Sequence, residues 1–511
     1  MSKLSRRDFI RLSTVGFGGA FLAACGSKGL AAPTVAEASA LPALTPTVDP
    51  VAVSTQKGKG QKKDGQPGKG SKNGAAPASG NPDFIATDIL GRPTNTSVTA
   101  NIVPAVAMSV YYEYGTSPGS YPSKTQTQNA PAGVPLETLI GGLQPDTRYY
   151  YRMHYKDDVE AERSFVTQRA PGSSFTFDIQ GDSHPERLHK EFDPALYPIT
   201  LSHAAADRPD FYMTIGDDFS VDQLGTVNAD TVKALYVNQR QWLGQVGAPV
   251  FLANGNHEQA SMANLNGSAD NVAVWAQTAR NSLYPQPAPD GFYKGDSAPV
   301  QFIGQLRDYY AFTWGDALFV VLDQYWHSPV TVDNQFGSKD GSKGKRDLWQ
   351  VTIGEAQYLW FRQTLESSNA KYKFVFSHHV LGTQRGGIEV GSKYEWGDAA
   401  HLSTYRPNWD RTIHRLMVDN RVTIYFQGHD HLFVRQELDG VTYQTLPQPA
   451  DPNYALNNAG SYQNGDKLSN TGYVRVSVSP ANARVEYVRT YLPQDEINGH
   501  KSGEVAYSYT V

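Results

Sequence analysis

Five short polar motifs gather aspartates, an asparagine and several of the chain's histidines, the side-chain types that could do metal chemistry. They read Gly181-Asp182-Ser183-His184, Gly216-Asp217-Asp218, Gly255-Asn256-His257-Glu258, Ser377-His378-His379 and Gly428-His429-Asp430-His431. Carboxylate, amide and imidazole donors in this mixture suit zinc, manganese or iron better than calcium or magnesium alone. There are donors enough for two ions, and paired ions are an arrangement for hydrolysis. Each motif taken singly is weak, since Gly-Asp is a common turn dipeptide and Gly-Asn-His fits a loop on left-handed backbone. Gly428-His429-Asp430-His431 is the most specific, because alternating histidines on an extended segment can present two imidazoles to neighbouring ions.

Every motif follows an apolar run, which the sequence predicts as a strand: 175–180, 211–215, 249–253, 373–376 and 422–426. Between them 228–246 and 354–367 read as helices, the first with Asn228 as N-cap. Further strands are expected at 309–312 and 317–323, and a C-terminal hairpin at 473–478 and 483–488. Strands alternating with helices predict an α/β domain over 170–511. Polar groups at successive strand ends gather on one rim of such a sheet, where these folds bind ligands. Residues 83–169 read instead as short strands separated by turns. There Leu143-Gln144-Pro145 and the run to Met153 resemble the loop-to-strand signature of fibronectin type III-like sandwiches, in which a tyrosine corner ties the strand start to the loop before it.

The N-terminus reads as a targeting segment, 1–25. Arg6-Arg7 followed by Phe9-Ile10 and Arg11 resembles a twin-arginine export signal, and Leu22-Ala23-Ala24-Cys25 resembles a lipobox with Cys25 as the acylated residue. Residues 26–82 are Pro/Ala-rich and then Lys/Gly-rich, the composition of a disordered tether. Cys25 is the only cysteine, so the folded part must be stable without an intrachain disulfide. The expected setting is extracytoplasmic, lipid-anchored through Cys25 to a bacterial membrane on its periplasmic or cell-surface side, after passage through the export machinery. The formal net charge of −5 includes the basic tether, and nothing in it favours nucleic acid as a partner.

The order of the five motifs and the central Asn256-His257 pair resemble the calcineurin-like metallophosphoesterase superfamily, and the preceding sandwich makes the layout similar to purple acid phosphatases. That resemblance implies an αββα sandwich after an all-β domain. It implies that Asp182, His184, Asp217 and His431 hold one ion, and that Asp217 bridges to a second completed by Asn256, His378 and His429. The ions would be divalent or mixed-valence Mn, Zn or Fe. Their clamp on the phosphoryl oxygens, with a bridging water made acidic enough to be hydroxide near neutral pH, hydrolyses phosphate esters. His257 is implied as the group that stabilises the transition state or protonates the leaving oxygen, with Glu258 orienting it. Arg385, in the Gly-rich stretch 382–387, is a candidate phosphate-binding cation.

Two departures from purple acid phosphatases bear on the ions. The position three residues after the bridging aspartate is Ser220, where that family has the tyrosine that gives its colour, and His184 supplies a first-motif ligand that the family lacks. A colourless protein with two divalent ions is expected. The reading is hydrolysis of an extracytoplasmic small-molecule phosphate ester, monoesters slightly favoured. The alternatives are a phosphodiesterase or nucleotidase using the same site, and a surface binding or adhesion protein whose site has decayed.

Overall fold

The structure is a computed structural model that describes residues 81–330, 332, 347–382 and 384–511. The twin-arginine segment, Cys25 and the tether up to residue 80 lie outside the described residues. In the strand Phe175–Gln180, Phe175, Phe177 and Ile179 alternate into one apolar core, while Gln180 on the other face accepts hydrogen bonds from Tyr197 Oη and Tyr212 Oη. That alternation would suit a sheet buried on one side; here both sides are covered.

Two sheets pack face to face. The six-stranded one runs Val250–Leu252, Phe211–Thr214, Phe175–Gln180, Gly472–Val478, Ala483–Arg489, Glu504–Thr510. Its first three strands are parallel, and the hairpin expected from the C-terminal alternation completes it in antiparallel register. The eight-stranded sheet contains Lys294–Gly295, Tyr310–Trp314, Ala317–Val321, Tyr372–Phe376 and Ile424–Gln427, followed by three strands between Phe433 and Leu468. Aromatic rings interdigitate between the layers: Phe319 lies 5.1 Å from Phe177 and 5.2 Å from Phe211, centroid to centroid. The rings pack edge-on, the favoured aromatic geometry.

Helices close both outer faces. Leu196–Asp207, Ala229–Leu243 and Val272–Leu283 cover the first sheet, and Glu355–Glu366 and Ile413–Asp419 cover the second. Asn228 caps its helix as the sequence predicts, in a reciprocal box. Its side chain accepts the Thr231 N–H at 2.9 Å, and Thr231 Oγ1 accepts the Asn228 N–H at 3.0 Å. The aromatics Trp326, Trp396 and Trp409 are packed within the loops and under the helices: Trp396 is fully buried, and Trp409 stacks on Tyr358 at 3.9 Å.

Residues 84–166 form two antiparallel sheets around their own core of Val98, Ala100, Ile102, Tyr112, Tyr151 and Phe165. Tyr149 Oη accepts the Gln144 N–H at 2.9 Å, the tie expected between that strand and its preceding loop. Arg240 of the helix Ala229–Leu243 reaches into these strands, fully buried. It donates to Asn101 Oδ1 and Asn101 O, both at 2.6 Å, and to Thr87 O.

One buried carboxyl contradicts the apolar rule. Asp178 is fully buried, and neither oxygen has a hydrogen-bond partner among the described residues. Burial, and then the nearby Asp207, push it well above the usual carboxylate range. The unfolded chain loses this proton near pH 4 while the native state keeps it, so stability falls as pH rises from there, by about 1.4 kcal/mol per unit until the native group titrates. Asp178→Asn should therefore match the native protein's stability near pH 4 and exceed it by a margin that grows with pH, measured by denaturant unfolding; a pH-independent difference would refute the assignment.

Candidate metal centre

The five motifs leave the C-terminal ends of five strands, but not from one rim. Asp182, Asp217 and Asn256 follow neighbouring parallel strands of the six-stranded sheet, whereas His378 and His429 follow adjacent parallel strands of the eight-stranded one. The expectation of a single sheet edge is corrected here: the site sits where the ends of two facing sheets meet. Connections at such strand ends are where side chains from distant segments converge.

All seven predicted ligands are brought together, and all are buried. Asp182, His184 and His431 form one group with donor atoms within 4.8 Å of one another, and Asp217, His378 and His429 form a second. His431 Nε2 lies 3.0 Å from Asp182 Oδ2. Asn256 Oδ1 lies 3.0 Å from both His378 Nε2 and His429 Nδ1. Asp217 Oδ2 faces both groups, 3.1 Å from His378 Nε2 and 3.7 Å from His184 Nε2.

The two aspartates are aimed by the backbone. Asp182 Oδ1 accepts the His429 N–H and Asp217 Oδ1 accepts the His257 N–H, each at 2.8 Å. That leaves each Oδ2 turned inward, and Asp217 Oδ2 accepts no hydrogen bond among the described residues. An inward, unpartnered carboxylate oxygen with imidazole nitrogens around it is the donor set of a cation site. Charge tells the same story. Burial alone would raise the two carboxyls, yet His378 with His431 holds Asp182 well below the usual range, and His378 with His257 does so for Asp217. Burial would lower His378, but Asp217 and Asp182 push it up to about 10. Burial, His379 and Arg385 keep His429 far below its ordinary value, hence neutral. The residues present fit two cations.

Carboxylates stand behind the imidazoles. His184 Nδ1 lies 2.8 Å from Glu186 Oε1, His431 Nδ1 lies 3.1 Å from Glu191 Oε2, and His378 Nδ1 donates to the Ile215 carbonyl at 2.9 Å. Such partners fix the ring orientation and the tautomer. The ligand loops also adopt backbone that most residues avoid, with positive φ at His184, Asp217, His429 and His431.

Two sequence expectations change. Glu258 does not orient His257: it accepts the Asp218 N–H at 2.9 Å and the Gly255 N–H at 2.8 Å, joining two ligand loops. Consecutive side chains in this turn diverge, and His257 Nδ1 is held instead by Asp222 Oδ2 at 2.7 Å. Arg385 is engaged with the last motif, donating to the His429 carbonyl and to Asp430 Oδ1 at 3.1 Å, so it braces that loop. His379 is buried beside His429. The sequence missed Arg187, whose Nη2 lies 3.2 Å from His257 Nε2, and also Asp222. Neither sits in a motif; only proximity after folding marks them. Ser220 lies near His257, with Oγ 3.4 Å from Nδ1.

Residues 175–433 match the calcineurin-like phosphoesterase family, and the chain belongs to that family. It is a metal-dependent phosphoester hydrolase. The fold is similar to the structure of PhoD, with a TM-score of 0.58 at 16% identity over 85% of this chain and 91% of that one. It is also similar to the purple acid phosphatase PPD1 from seeds of yellow lupin (Lupinus luteus), with a TM-score of 0.51 at 17% identity over 83% of this chain and 73% of that one. No curated protein matches the sequence.

Gly428 tests whether the carboxylate aim matters. A Cβ there would fall well inside contact distance of Asp182 Oδ1 and 2.5 Å from Ile215 Cγ2. Gly428→Ala is expected to stay folded by circular dichroism yet bind its metal at least about tenfold more weakly, the scale of lost ligand orientation. Unchanged affinity in a chelator competition would show that Asp182 need not be held this way.

Proposed function

We propose that this protein is an extracytoplasmic phosphatase with a two-metal centre, acting on small-molecule phosphate monoesters. The observation that carries the reading is Asp217: one oxygen is tied to the His257 N–H, and the other is bare and turned toward both imidazole groups. In this reading Asp182, His184, Asp217 and His431 hold one ion, and Asp217, Asn256, His378 and His429 hold the other. When bound, a pair of Mn, Zn or Fe ions supplies Lewis acidity toward the phosphoryl oxygens and toward the attacking water.

The remaining steps belong to the chain. His257 points its Nε2 toward the centre, 3.8 Å from Asp217 Oδ2. Burial would lower its pKa, but Asp217 and Asp222 raise it overall against Arg187, which favours the protonated ring that an acid at the leaving oxygen requires. Asp222 holds Nδ1 and so leaves Nε2 as the nitrogen that would carry out the transfer. Arg187 beside it adds a fixed cation for the non-bridging oxygens, an arrangement that favours the second negative charge of a monoester over a diester. Glu186 and Glu191 keep Arg187 in place, at 3.4 and 2.5 Å. The extracytoplasmic setting rests on Arg6-Arg7 and on Leu22-Ala23-Ala24-Cys25, and membrane attachment would be through a lipid on Cys25.

The test is steady-state hydrolysis of phenyl phosphate, p-nitrophenyl phosphate and bis(p-nitrophenyl) phosphate by the metal-loaded protein. Higher kcat/KM on p-nitrophenyl phosphate than on its bis ester is expected. Asp222→Asn should cut phenyl phosphate turnover by about 10²-fold and p-nitrophenyl phosphate turnover much less, because only the poor leaving group needs the proton. A preference for the bis ester would overturn the monoester assignment, and equal losses on both leaving groups would remove His257 as the acid.

A further inference from the structure

A second set of metal-type donors gathers away from the seven converging side chains, at the edge of the eight-stranded sheet. Asp296 follows the short strand Lys294–Gly295, Asp308 precedes its partner Tyr310–Trp314, and His327 lies beyond the next strand, Ala317–Val321. One donor atom from each lies within 4.8 Å of the other two. His327 Nε2 is 2.7 Å from Asp308 Oδ2. Asp308 is fully buried, and its Oδ1 has no hydrogen-bond partner among the described residues. Asp296 commits one oxygen to the Ala298 N–H at 2.8 Å.

An ion pair alone leaves this cluster short of positive charge. Burial, and then Asp308, raise the Asp296 carboxyl above its usual range, the mark of like charges pressed together out of water. A third acid, Asp323, is also close enough to raise the His327 imidazole, so one ring stands among three carboxyl groups. The bare Oδ1 of Asp308 is the kind of buried acceptor that proteins rarely leave unmatched. Asp296 and His327 are at the partly open side, with 8% of Asp296 exposed, and Asp308 forms the floor.

We propose that Asp296, Asp308 and His327 form a third metal site, for a divalent transition ion of the zinc or manganese class, with a structural role. Two carboxylate oxygens and one imidazole nitrogen select such an ion over calcium or magnesium. Binding displaces the proton held between His327 and Asp308, which leaves to solvent as the cation enters. The ion would tie the edge hairpin to the loop after Ala317–Val321. That loop carries Asp323, whose Oδ1 accepts the Tyr325 and Trp326 N–H groups at 2.6 and 2.9 Å and whose Oδ2 accepts from Asn254 Nδ2 at 2.6 Å. Asn254 stands directly before Gly255-Asn256, so the third ion would brace a ligand loop of the main centre without touching the reacting atoms.

The experiment counts metal in the full chain, loaded with Zn or Mn and dialysed, in two backgrounds: native and Asp217→Asn. In each, Asp296→Asn is expected to remove one equivalent and to abolish part of the metal-induced rise in Tm. Asp296→Asn keeps the Asp308–His327 contact, and His327→Gln, a second route to the same loss, guards against a single variant that fails to fold. Equal metal content and equal thermal response with and without Asp296→Asn would overturn the proposal and leave Asp308–His327 as a plain ion pair. Because the difference is also read in the Asp217→Asn background, the outcome does not depend on how many ions the main centre holds.

Discussion

Two buried aspartates govern the catalytic domain, because a carboxylate taken out of water must be matched by positive charge or by donors. Asp182 and Asp217 are matched on one side by a backbone N–H from another motif and on the other by imidazole. The first of those ties crosses from one sheet to the other, since Asp182 follows the strand Phe175–Gln180 and its partner His429 follows Ile424–Gln427. The same hydrogen bond that aims the carboxylate also fixes how the two sheet ends meet, so the geometry of the site and the packing of the domain are one constraint.

The rest of the architecture makes that constraint tolerable. Ligand loops with positive φ at four ligand positions cost energy that local sequence does not return. An interlocked aromatic layer between the sheets and helices on both outer faces supply the rigidity that holds them. Glycines sit where those loops come closest: Gly216 has φ of +103°, and a Cβ on it would lie 2.6 Å from the Gly255 nitrogen. Glu258 then joins the Asp217 and Asn256 loops through their backbone N–H groups, a fixed frame beneath the ligands.

Much of this was legible from residue order alone. Apolar runs ending in Asp, Asn and His marked the strand ends, because the period-two pattern and the donor types are both local properties. Asn228 and Tyr149 were readable for the same reason, each acting on backbone within a few residues. Contacts set by the fold were not. His257 and Glu258 are neighbours in sequence, and the resemblance implied that one orients the other; the turn separates them and brings in Asp222. Arg187 and the cluster of Asp296, Asp308 and His327 come from turns and loops without a repeating pattern, so only the completed sheets place them together. The division of the five motifs between two sheets was equally invisible, since strand order is a long-range property.

Anomalous diffraction from crystals of the metal-loaded protein, at the absorption edge of the bound metal, would locate the ions held by the seven buried side chains. Two peaks about 3.5–4 Å apart are expected, one in bonding distance of Asp182, His184 and His431 and the other of Asn256, His378 and His429, with Asp217 Oδ2 between them. A single peak, or two peaks that do not share Asp217, would contradict a two-ion centre bridged by Asp217.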